Sequence, residues 1–93
     1  MSAIERLRTR LTEALKPMQL EIADDSYKHV GHAGAAQGGH YRVFIVCEAF
    51  AGRPLVARHR MVYEALAENL RSEVHALSIV ARAPDEVDER PPA

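Results

Sequence analysis

The sequence predicts an α+β two-layer sandwich of order α-β-β-α-β, with a three-stranded mixed sheet carrying both helices on one face. Three observations lead there. Apolar residues recur at helical spacing in two stretches, Ile4, Leu7, Leu11, Leu15 and then Leu55, Val62, Leu66, Leu70. Between and after these stretches, apolar residues alternate with polar ones, the period of a half-buried strand. The 93 residues suffice for one modest core and not for a second. Little chain lies beyond these elements, so the β-β connection should be antiparallel and the β-α-β crossover parallel and right-handed.

Each element has a local cause. Ser2 followed by Glu5 forms a capping box ahead of the first helix. That helix should end near Leu15 or Lys16, because Pro17 disfavours the α conformation in the residue before it. Over residues 18–23, Met18, Leu20 and Ile22 alternate with Gln19 and Glu21, which predicts a strand with those three inward. Residues 41–48 are β-branched and aromatic enough to be the strongest strand. Parity places Tyr41, Val43, Ile45 and Cys47 on its core face, and Arg42, Phe44, Val46 and Glu48 on the more exposed face. Residues 49–54 read as a turn containing Gly52 and Pro54, followed by the longest helix, from Leu55 to near Arg71, with His59 in its apolar stripe. Residues 76–83 read as a third strand with Leu77, Ile79 and Ala81 inward and His75 at its entrance. The domain is therefore expected over residues 1–84, with residues 85–93 a flexible acidic, proline-rich tail.

Composition narrows the function. No apolar run approaches a membrane span, and the N-terminus lacks the apolar core of a signal peptide, so a cytoplasmic location is expected. A single cysteine, Cys47, excludes an intramolecular disulfide and any metal site built from several of the chain's own thiolates. Its inward parity argues for an inert buried thiol rather than a nucleophile. No nucleophile elbow, phosphate-binding glycine loop or dinucleotide fingerprint occurs, so no enzyme activity is expected. The net charge of -1 gives no global attraction to nucleic acid, although a local basic patch remains open.

Two constellations carry chemistry. Residues 26–40 hold three of the five histidines and four of the five glycines, with neither the helical nor the strand period. This stretch reads as a mobile loop presenting imidazoles, the commonest protein metal ligands. The spacing of His29 and His32 alone does not distinguish ligands from solvated loop histidines, and His75 alone reads equally as a core-edge histidine. Arg53, Arg58, His59 and Arg60 make a cationic group at the start of the long helix. They suit either a phosphate or carboxylate on a partner, or a solvated face paired with Glu64 and Glu68.

The run Arg58-His59-Arg60-Met61-Val62-Tyr63, then Leu66-Ala67-Glu68 and Val74-His75-Ala76-Leu77, resembles the BolA family. The upstream Asp25-Ser26-Tyr27-Lys28-His29 and the Gly-Gly-His-Tyr-Arg-Val run into the second strand match as well, and the resemblance covers roughly residues 4–83. It implies a KH-like fold and a heterodimer with a monothiol glutaredoxin around a shared [2Fe-2S] cluster, with glutathione supplied from the partner side. In the histidine-loop branch of the family, the implied ligands fall on His29 and His75. The loop here runs His29-Val30-Gly31-His32, so His32 is an alternative to His29, and His40 is a further candidate. Such a cluster needs four ligands, and two imidazoles can serve one iron while thiolates from elsewhere serve the other. The family also implies a second role, a DNA-binding transcriptional regulator acting through the arginine-bearing helix. Alone, the chain is expected to be a monomer or weak dimer.

Overall fold

The computed structural model describes residues 2–26 and 39–87. Helix α1 (Ala3–Leu15) starts where Ser2 accepts the Glu5 N–H at 3.2 Å and ends at Lys16, which turns left-handed at φ 49° and donates its N–H to the Thr12 carbonyl. Its apolar stripe buries Leu7 and Leu11 completely. Strand β1 (Gln19–Asp24) and strand β2 (Gly39–Val46) pair antiparallel, and β2 pairs parallel with β3 (Val74–Arg82), giving the order β1-β2-β3 with the strongest strand central. The fold class and both strand pairings are those the sequence predicts.

Helices α1, α2 (Leu55–Ala65) and α3 (Ala67–Ser72) cover one sheet face. Tyr41, Val43, Ile45 and Cys47 meet Leu7, Leu11, Val62 and Leu66 there, as parity requires. The Cys47 thiol donates to the Leu15 carbonyl at 3.1 Å, which ties the end of β2 to the end of α1 and accounts for its inert burial. No described helix is long and apolar enough to cross a membrane.

Four features depart from the sequence reading. Met18 lies outside β1 and is 65% exposed; its N–H bonds the Val46 carbonyl, so it borders the sheet without entering the core. The long helix divides at Leu66, whose φ of -103° and ψ of 15° cap α2 and begin α3. No glycine or proline marks this division, and past it Asn69 is buried with its amide donating to Glu73 at 2.8 Å. The inward face of α2 starts at Arg58 rather than at Leu55, which is exposed, because Arg58 takes the inward position one turn before Met61 and Val62. The turn after β2 contains a 3-10 turn, Glu48–Phe50, that drives Phe50 fully into the core.

The C-terminal boundary also differs. Residues 84–86 form a second 3-10 turn, and Glu86 grips Arg58 through both carboxylate oxygens, at 2.5 and 2.8 Å. Asp85 and Glu86 thus belong to the folded unit. Residues 88–93, the remainder of the expected tail, lie outside the described residues.

Candidate functional site

The candidate site is built where β2 and β3 begin side by side. Gly39 pairs with Val74 and His40 with Ala76, so the register slips by one residue and His75 has no partner across the ladder. An extra residue of this kind is a β-bulge, which re-aims the side chain it carries. His75 is exposed, and its ring lies 5.2 Å, centroid to centroid, from the half-buried His40 ring at an interplanar angle of 53°. At that separation one metal ion is within reach of a nitrogen from each ring.

The backbone is anchored on both sides of the pair. On the β3 side, Arg6 grips Glu73 with Nε at 2.8 Å and its terminal nitrogen at 2.6 Å, the Asn69 amide also donates to that carboxylate, and the Glu73 carbonyl accepts the Gly39 N–H at 2.9 Å. The Arg6 bond holds the Glu73 carboxyl below its ordinary value. On the β2 side, the Ser26 hydroxyl accepts the His40 N–H at 3.0 Å, the His40 carbonyl accepts from Asp25 at 2.7 Å, and Asp24 accepts the Ser26 N–H at 2.8 Å. Hydrogen bonds from Ser26 lower the Asp24 carboxyl as well. An Asp bonding the backbone two residues on is a turn former, so this short polar run pins the departure of the chain from β1.

Gly39 is required by close approach. A Cβ there would fall on the Tyr41 ring, which is buried and whose hydroxyl pKa is raised first by that burial and then by Asp24 and Glu73. Gly39→Ala is expected to cost about 1–3 kcal/mol of stability by overpacking this ring, read from the urea midpoint. A midpoint equal to wild type would show that the ring moves aside freely.

His75 and His40 are therefore brought together, whereas His29 and His32 lie outside the described residues. Among the described residues, no three His, Cys, Asp or Glu side chains gather as a metal-holding cluster, so the imidazole pair is a partial ligand set. The cationic group is split. Arg53 and Arg60 are exposed and His59 is half-buried, but Arg58 is 5% exposed and bonded to the Arg53 and Ala81 carbonyls as well as to Glu86. This corrects the placement of Arg58 on a partner surface. The bulge at His75 carries no sequence signal: the sequence reading starts the third strand at Ala76 with His75 at its entrance, whereas the strand begins at Val74, and no glycine marks the extra residue.

Fold and site together define a small α+β domain that presents paired imidazoles at the rim of its sheet. The chain belongs to the BolA family: the family model described as BolA-like protein matches residues 11–86. It is 47% identical over 88 residues to the SufE-like protein 1, chloroplastic/mitochondrial, of Arabidopsis thaliana, covering 88% of this chain and 24% of that protein. It is 41% identical over 75 residues to the DNA-binding transcriptional regulator BolA of Escherichia coli (strain K12), covering 81% of this chain and 70% of that one. The solved BolA domain of SufE1 from Arabidopsis thaliana is similar at a TM-score of 0.82 and 46% identity, over 94% of this chain and 98% of that one. The chain thus spans about a quarter of the SufE-like protein it matches.

Proposed function

We propose that the protein is a non-catalytic adaptor for iron-sulfur cluster trafficking or assembly that shares a [2Fe-2S] cluster, as cargo, with a monothiol glutaredoxin. The observation that carries this reading is the bulged, exposed His75 beside His40. His75 supplies one imidazole to one iron, and His40, His29 or His32 supplies the second. Cys47 is excluded from the ligand set because its thiol is buried and donates to Leu15. The other iron then takes thiolates from outside the chain, for which the partner's cysteine and its glutathione are suited.

The test mixes the protein with cluster-loaded monothiol glutaredoxin and follows visible absorption and circular dichroism. His75→Ala is expected to abolish the mixed spectrum. Separate His40→Ala, His29→Ala and His32→Ala variants identify the second imidazole by which one also loses it. Wild-type spectra from all four variants would refute the ligand assignment.

A second reading, weak DNA binding, rests on the exposure of Arg53 and Arg60 around the start of α2, where Pro54 leaves the helix without a side-chain cap. The inward commitment of Arg58 removes one cation from that surface. Salt separates the two readings, since binding through several phosphates weakens steeply as salt rises and ligation by imidazole does not.

A further inference from the structure

The two edges of the sheet are treated differently. On β1, the Arg8 guanidinium bonds the Leu20 carbonyl at 3.2 Å, and Glu21 and Asp24 add charge along a six-residue strand. These are the devices by which natural edge strands resist pairing. Strand β3 is the opposite edge, nine residues long, and from Val74 to Ala81 it carries no Lys, Arg, Asp, Glu or Pro. Among the described residues, only its ends are closed. The bulge at His75 interrupts one end, and at the other Arg58 bonds the Ala81 carbonyl at 3.2 Å.

What lies between is a five-residue window, Ala76 to Val80, centred on Ser78. The Arg82 carbonyl bonds the Cys47 N–H of the chain continuing from β2, so by strand alternation the backbone groups of Ser78 and Val80 also face β2 while those of Leu77 and Ile79 face outward. Among the described residues, those outward groups of Leu77 and Ile79 have no hydrogen-bond partner. Ala76 and Ser78 are exposed, and Leu77, Ile79 and Val80 are half-buried.

We propose that this window pairs antiparallel with the same window of a second copy of the chain, about a two-fold axis through Ser78, to form a weak dimer with a continuous six-stranded sheet. The window is self-complementary. Leu77 and Ile79 of one copy meet Ile79 and Leu77 of the other and exchange their outward N–H and C=O groups, while Ala76 meets Val80 and Ser78 meets Ser78. Each pair joins residues on the same sheet face, so the helical layers stay on one side. No charged residue opposes its like, and every interaction is isologous, as a two-fold demands. The occupant is a second copy because the window matches itself in side chains: it is uncharged, and its reversed order sets Leu77 against Ile79, Ala76 against Val80 and Ser78 against Ser78. The shortness of the window sets the weakness.

Sedimentation of the wild-type chain over rising concentration tests this. A monomer-dimer equilibrium is expected, and Ser78→Lys is expected to weaken it by about tenfold, because two ammonium groups then face each other on the axis. Ser78 is exposed, so the far-ultraviolet circular dichroism of that variant should match wild type. Ser78→Cys gives an independent reading. Residue 78 faces its mate as a non-hydrogen-bonded pair, with Cα atoms about 4.5 Å apart, inside the span a disulfide bridges. With oxidised glutathione it should cross-link far faster than the exposed control Ser72→Cys. A wild-type monomer at every concentration, a Ser78→Lys variant that dimerises as wild type, or equal cross-linking at 72 and 78 overturns the proposal. The first of these would leave the edge to a strand from another protein.

Discussion

Phe50→Ala is expected to lower stability by about 3–5 kcal/mol, a large share of the 5–15 kcal/mol typical of a small domain. Phe50 is the largest fully buried side chain among the described residues, and it reaches the core from a 3-10 turn rather than from a helix or strand. Its N–H bonds the Cys47 carbonyl at 3.1 Å, and the neighbouring Cys47 is itself fully buried. Truncation therefore opens a cavity in the core cluster that Phe50 shares with Leu7, Leu11, Ile45 and Val62, whose helices and strands cannot collapse to fill it. At the sensitivity usual for a chain of this size, the thermal midpoint should fall by at least about 12 °C. Phe50→Leu, which keeps most of the volume, should cost less than about 1.5 kcal/mol. Phe44→Ala supplies the control, because Phe44 is half-buried on the outer sheet face. Urea unfolding of the three variants checks the ranking, and a loss at Phe50 no larger than at Phe44 would sink it.

The same residue shows where sequence reading stops. The helices, strands and pairing directions were legible because each has a period, and a period of 2 or 3.6 fixes which side chains share a face. Cys47 was legible as a buried thiol for the same reason, and the structure adds only its bond to Leu15. Phe50 sits in a stretch read as a turn, where no period exists, so its burial depends on tertiary space alone. The division at Leu66 is similar: the helical spacing continues through Val62, Leu66 and Leu70, and only the Leu66 backbone, at φ -103° and ψ 15°, separates two helices from one. At the site, sequence marked His75 and admitted His40 as a further candidate. It did not show their approach, because that depends on a one-residue slip between β2 and β3, which neither strand encodes by itself.

Arg58 is the position at which the cationic reading of α2 and the structure diverge most, and its removal is expected to have the second large effect on stability. The guanidinium bonds three separate segments: the Arg53 carbonyl before α2 at 2.8 Å, the Ala81 carbonyl near the end of β3 at 3.2 Å, and both oxygens of Glu86. Glu86 also accepts the Ala83 N–H at 2.9 Å, so the final turn closes on itself around the same arginine. Arg58→Met leaves these acceptors unmatched in a largely desolvated setting, where an unmade bond costs more than a made one contributes. Arg58→Lys should rescue little, since an ammonium cannot reproduce the fork that spans both Glu86 oxygens. The pair also sets an acid limb. The Arg58 bond, followed by the Ala83 N–H, holds the Glu86 pKa at about 2, against an ordinary value of 4.5. A carboxyl lowered on folding contributes stability that is complete above about pH 4.5 and is lost as pH falls towards about 2. The gap in thermal midpoint between wild type and Arg58→Met should therefore narrow from neutral pH down to about pH 2, leaving the part that the two carbonyl bonds supply. Glu73, lowered in the same direction by Arg6, adds its own acid loss equally to both proteins and leaves the difference unaffected. A gap between wild type and Arg58→Met that stays constant down to the acid end would show that the arginine acts through its carbonyl bonds alone, without Glu86.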